Sequence, residues 1–257
     1  MTTIKFHSVE SQTISRKITE EEKIMEKFIY HGTTESNWKK ISQEGLVPRG
    51  NKKSNWTHTV ESASDRVYLS SAYAPYFAMA AAENGEGYVV VQVDFESLDQ
   101  DLLLPDEDFL EQAMREEISA IIGSTMKQRT EYMRDHARGL RSYWGTSLEK
   151  MGVVAYQDKI KLSDIESAYL IQPKKLHPVI HCMLGDPTIT VLNYSLLGRK
   201  YKALTAFLTA QDYEILDFLE PLGGKFTYPV HDLDADKRKA ALFAFLEESR
   251  PAVRKIF

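Results

Sequence analysis

Two short stretches set reactive side chains at the end of an apolar run. In "FIYHGTT", residues 28–34, an imidazole (His31) stands before Gly32 and the hydroxyls of Thr33 and Thr34. In "RVYLSS", residues 66–71, a phenol (Tyr68) stands before Ser70 and Ser71. A strand ending in Tyr-His-Gly-Thr offers a hydrogen-bonding ring beside backbone that carries no side chain. Such a group can hold a planar carboxamide through amide and carbonyl contacts, with an aromatic ring over its face. The imidazole can hydrogen-bond a ribose hydroxyl, and Tyr68 can supply the aromatic face.

These residues need short strands behind them and helices ahead. Residues 27–31 read as a strand that stops at Gly32. "SNWKKISQE", 36–44, reads as a helix with Trp38 and Ile41 on one face and Gly45 just past its end. A polar loop with basic residues near its start, Arg49 and Lys52 among them, leads to a second strand, 67–69. Ser70 or Ser71 can cap the next helix, whose alanines over 72–82 allow close packing. "GYVVVQVDF", 87–95, is the clearest strand, and further strands are expected at 153–160 and 165–173. Residues 105–140 are charged and read as helical. Helical periodicity returns over 194–208, 211–219 and 234–248, broken at Pro221.

This order predicts an α+β fold: a polar arm over 1–26, a core over 27–184 and a helical C-terminal lobe over 185–257. The chain has 257 residues, a net charge of −5 and a single cysteine, Cys182. That balance gives no global attraction to nucleic acid or an anionic membrane. One thiol makes neither an internal disulfide nor a multi-thiolate metal site, and a reducing, cytoplasmic setting is expected. No run has the length of a membrane span, and the N-terminal segment lacks the apolar stretch of a signal peptide. Phosphate-loop, dinucleotide-fingerprint and nucleophile-elbow motifs are missing. His177 and His181 are four apart but separated by Pro178, and no metal is expected. Asp106, Glu107 and Asp108 read as a solvated helix start rather than a cation site. Residues 126–144 interleave Lys127, Arg129, Arg134, Arg138 and Arg141 with Tyr132, Tyr143 and Trp144. That pattern suits either a solvated face or a nucleic-acid track.

Taken together, "YHGTTESNWKKISQEGLVPR", "RVYLSSAYAPYFA" and "GVVAYQDKIKLSDIESAYLIQP" resemble the ADP-ribosyltransferase fold, in the branch that includes the poly(ADP-ribose) polymerases. The resemblance covers roughly residues 27–175 and implies a split β-sheet and NAD as substrate. His31 matches the histidine that holds a ribose of NAD, and Gly32 the glycine whose backbone pairs with the nicotinamide amide. Tyr68 matches the tyrosine near the nicotinamide, and Tyr73 or Tyr76 supplies a second aromatic face. Thr33 and Ser70 fall among the cofactor contacts, and Arg49 or Lys52 meets the pyrophosphate. Where the family places a catalytic glutamate, this chain has Gln157 followed by Asp158. A glutamine brings no formal charge, so Asp158 or a glutamate from elsewhere, such as Glu116, Glu117 or Glu149, would complete the site. The function implied is mono-ADP-ribosyl transfer to a macromolecule, RNA or DNA ahead of protein. Relatives of this kind are often toxins or phage-defence effectors, which implies a neutralising antitoxin protein as a partner. Two alternatives are an RNA 2′-phosphotransferase of the same fold and a non-catalytic module binding NAD or ADP-ribose.

Overall fold

A computed structural model describes residues 27–51, 62–82, 85–123, 125–185, 201–202, 204–209 and 234–257. The N-terminal arm, Lys52, the helix expected at 211–219 and the break at Pro221 lie outside these residues.

Among the described residues, seven strands form one antiparallel sheet: β1 (Phe28–Thr34), β2 (Val67–Ser70), β3 (Tyr88–Asp94), β4 (Leu103–Pro105), β5 (Val153–Tyr156), β6 (Ile165–Ile171) and β7 (Val253–Lys255), in the order β4-β5-β2-β1-β3-β6-β7. The fold is α+β, as its sequence pattern predicts. β3 lies inside the sheet and both its faces are covered. Tyr88 and Val90 enter one apolar cluster, and Val89, Val91 and Val93 enter the other. A strand buried on both sides has no reason to alternate with polar residues, which accounts for its run Val89–Val91.

The sheet is pinched at one place. β1 pairs with β3 along all of Phe28–Thr34, yet meets β2 through the single pair Tyr30↔Ser70. Past that pair, His31–Thr34 and Val67–Leu69 have no strand partner across the gap.

Among the described residues, the α-helices about the sheet include α1 (Glu35–Glu44), α2 (Ala74–Ala81), α3 (Glu107–Ala113), α4 (Arg115–Ile122), α5 (Met126–His136), α6 (Trp144–Met151), α7 (Pro178–Leu184) and α8 (Ala235–Ser249). Residues 204–209 are also helical. α1 starts where Thr34 Oγ1 accepts from the Asn37 amide at 3.2 Å, and it ends at Gly45, whose φ of 82° suits glycine. α2 lies directly on β1. A Cβ at Gly32 would stand 2.6 Å from the Ala78 amide nitrogen and closer still to the Ala74 carbonyl oxygen. Only glycine, facing two alanines, permits that approach.

Two short strands depart from the sequence expectation. β4 is three residues long and contains Pro105, which an edge strand tolerates. β7 stands where helix alone was expected after residue 185, and it pairs with β6 through Ile171↔Val253. Leu242 and Leu246 of α8 share a cluster with Tyr88 and Val90. Among the described residues, the C-terminal segment thus completes the sheet and its core instead of forming a separate lobe. Isolated three-residue strands carry too little periodicity to be read from sequence; their partners define them.

Candidate functional site

The pinch between β1 and β2 brings the two opening stretches together. His31 Nδ1 lies 2.9 Å from the Tyr68 carbonyl oxygen. Because that carbonyl can only accept, Nδ1 carries the hydrogen, and in the neutral ring Nε2 holds the lone pair. Burial holds the His31 pKa below its ordinary value, and the hydrogen bond to Tyr68 only partly offsets this. His31 is therefore a neutral ring whose Nε2 can accept a hydroxyl hydrogen.

Tyr68 sits opposite Ala155 on β5, which in turn sits opposite Leu104 on β4. Directly opposed residues of neighbouring antiparallel strands share a face. The small Ala155 leaves room for the phenol to extend toward the start of α3. There the Tyr68 hydroxyl donates to Glu107 Oε1 at 2.5 Å and accepts from the Ala63 amide at 2.8 Å. Burial, then the negative charges of Glu107 and Asp106, push its pKa well above the usual phenol value, so it remains a donor.

Glu107 is a carboxylate beside Tyr68 that the sequence reading placed only in a solvated helix start. It is 4% exposed, and its Oε2 is buried with no hydrogen bond. A chain of contacts sets its place. Asp106 caps α3 by accepting from the Asp108 amide at 2.9 Å, and the Asp106 amide donates to Ser147 Oγ at 3.0 Å. Ser147 donates in turn to the Val153 carbonyl at 2.8 Å, which ties α3 and α6 to the first residue of β5. "PDED" is thus a helix start, as expected, but not a solvated one: Asp106 and Glu107 are buried. The signal available in the sequence was the apolar "LLLP" ahead of it, which carries the acids into the core.

Burial and the neighbouring Glu107 and Glu111 charges raise the Asp108 pKa from 3.8 to about 6. The folded chain then holds this proton more tightly than the unfolded chain. Stability therefore falls as pH rises from about 4 to about 6 and is level above that. Asp108→Asn should match the parent near pH 4 and be more stable above pH 6, by on the order of 1 kcal/mol after solvent screening. Urea melts over that range check this, and a gap that does not change with pH would refute it.

The remaining candidates separate into those near the pinch and those committed elsewhere. Gln157 follows β5, and its Oε1 accepts from Arg141 Nη2 at 2.8 Å. Asp158 is exposed and accepts from the Lys159 amide at 2.6 Å. Neither hydrogen-bonds His31 or Tyr68, whereas Glu107 accepts from the Tyr68 hydroxyl. Glu116, Glu117 and Glu149 are exposed. The side-chain face of Gly32 is closed by α2. Thr33 is buried opposite Val89. Ser70 is spent on the turn into α2, donating to the Gly152 carbonyl and accepting from the Ala72 and Tyr73 amides. Tyr73 is buried, edge-on to Tyr201 at 5.2 Å, whereas Tyr76 stays half-buried and keeps surface for a ligand. Arg49 donates to the Ser62 carbonyl at 2.7 Å.

The basic run also divides. Arg129 is buried against Glu111 at 2.7 Å, and Arg141 is held by Gln157. His177 caps α7 and stacks on Phe245 at 3.9 Å. Among the described residues, no three His, Cys, Asp or Glu side chains converge to hold a metal ion, and no helix is long and apolar enough to cross a membrane.

No family model and no curated protein matches the sequence. A solved structure named EcPltA is similar with a TM-score of 0.34 and 10% identity, over 56% of this chain and 75% of that one. A likeness of that size bears on neither family nor activity.

Proposed function

We propose that the chain is an NAD-dependent mono-ADP-ribosyltransferase acting on a macromolecular target, nucleic acid ahead of protein. The observation that supports it most is the pinch itself. It sets a neutral His31 with an accepting Nε2, the Tyr68 ring and a buried Glu107 carboxylate around one gap in the sheet. In this reading NAD enters beside β1. His31 Nε2 takes a ribose hydroxyl, while Tyr68 and Tyr76 offer aromatic surface to the nicotinamide. Displacement at the anomeric carbon gives the ribose cationic character as nicotinamide leaves, and the Glu107 charge stabilises that cation. Holding the two reactants together supplies much of the remaining acceleration. A role as toxin or phage-defence effector, with an antitoxin partner, follows only from the sequence resemblance.

The test is incubation with NAD labelled on the adenine side, in separate DNA, RNA and protein fractions. Label transferred to one fraction is the expected result. NAD binding with neither transfer nor nicotinamide release would instead indicate the non-catalytic NAD- or ADP-ribose-binding module.

One observation favours a second reading. Arg66 is 5% exposed, acts electrostatically on Tyr68, and has a buried Nη1 without a hydrogen bond. An RNA 2′-phosphotransferase of this fold would carry arginines there. Nicotinamide release that requires a 2′-phosphorylated RNA would identify it.

A further inference from the structure

Asp65 and Arg66, just before β2, meet the distant Arg138 side chain beside Tyr68. Asp65 Oδ1 lies 2.9 Å from Arg66 Nε, and its Oδ2 lies 2.7 Å from Arg138 Nη2. Arg66 Nη2 donates to the Arg134 carbonyl at 3.4 Å, which fastens the start of β2 to α5. Arg134 and Arg138 are four residues apart on a helical stretch and so share a face. Here one carboxylate spans two guanidiniums with both its oxygens, as a phosphate group does. Asp65 pairs with Arg66 and Arg138, and Arg134 Nε lies 3.8 Å from Asp135, so three arginines face two carboxylates and the cluster retains net positive charge. It is also reachable: the side chains of Asp65 and Arg138 are 42% and 59% exposed.

We propose that Arg66, Arg134 and Arg138 form a phosphate-binding site for a nucleic-acid backbone, and that the Asp65 carboxylate occupies the place an incoming phosphate takes. The chemistry of the same helix favours a nucleic acid over an acidic protein. Tyr132 and His136 stack there at 3.8 Å between ring centroids, with His136 exposed, and offer a flat surface to a base. The inference rests on the proposed function only for the identity of the target; binding itself needs no NAD.

The test is fluorescence anisotropy of a labelled single-stranded RNA of about 20 nucleotides, without NAD, over a series of salt concentrations. Asp65→Asn should tighten binding several-fold, because the resident anion no longer competes. The paired change Arg134→Gln with Arg138→Gln should weaken binding by about tenfold or more. It should also make the plot of log affinity against log salt shallower by roughly 1 to 1.5, for two lost phosphate contacts. Arg254→Gln, on exposed β7, serves as control and should change neither. Thermal melting confirms that each variant is folded. An unchanged affinity and slope in the paired variant would overturn the proposal. So would competition by polyglutamate as effective as that by unlabelled RNA, which would make the occupant an acidic protein. Parent protein that cleaves NAD but binds no RNA refutes this site alone, and parent protein that binds RNA but does not cleave NAD refutes the enzymatic reading alone.

Discussion

Glu107→Gln should slow nicotinamide release from NAD by about 100- to 1000-fold and leave NAD affinity within about threefold. The substitution keeps the shape of the side chain. Its amide oxygen can still accept from the Tyr68 hydroxyl, now at 2.5 Å from Oε1, so the ring stays where it is. What disappears is the formal charge, in a place where burial makes charge effective. An effect on the rate without an effect on binding is the mark of a group that acts on the transition state. Glu107→Ala is the harsher comparison, since it also leaves the Tyr68 hydroxyl without its acceptor. If Glu107→Gln turns over at the parental rate, the acid lies elsewhere, and Asp158→Asn becomes the variant to measure.

Gly32→Ala should lower stability by about 3 kcal/mol or more, read as a shift in the urea midpoint. The added methyl would overlap backbone atoms of Ala74 and Ala78, which cannot turn aside as a side chain would. α2 would have to retreat from β1. Tyr73 caps this helix, so the retreat would also disturb the aromatic group around Tyr201. Gly139→Ala is the control. A Cβ there meets nothing within 4 Å, and the change should be near neutral. Equal melting of the two variants would show that α2 does not press on Gly32 as described.

The sequence carried much of the frame. β1, β2, β3, β6, α1 and α8 fall within a few residues of their expected bounds, because each has a strong period or a clear stop signal such as Gly45. The joining of His31 to Tyr68 was also legible, through the resemblance that sets the two short strands carrying them side by side. The acid was not. Glu107 enters the site through a tertiary route, from β4 by way of Asp106, Ser147 and Val153, and nothing local in "PDEDF" separates it from a solvated helix start. The arginines beside Tyr68 were hidden for the same reason. Arg134 and Arg138 read as one face of a charged helix, and only the fold brings Arg66 and Asp65 to them. Gly32 has a second reason to be glycine that the sequence did not show: α2 lies against its Cβ position.

β7 has a consequence for how the molecule is made. β6 is synthesised well before its outer neighbour, and α8 and β7 follow a long intervening segment. While the chain is still emerging from the ribosome, β6 has an unpaired rim, and the cluster that holds Tyr88 and Val90 lacks Leu242 and Leu246. The half of the sheet made of β4, β5 and β2 owes less to later residues: Tyr201 joins Val153, and Ile256 packs against the cluster that holds Leu69 and Val154. The nascent protein therefore passes through a stage in which one half of the sheet can settle and the other presents an exposed edge. At that stage a chaperone, or another copy of the chain, has most to grip.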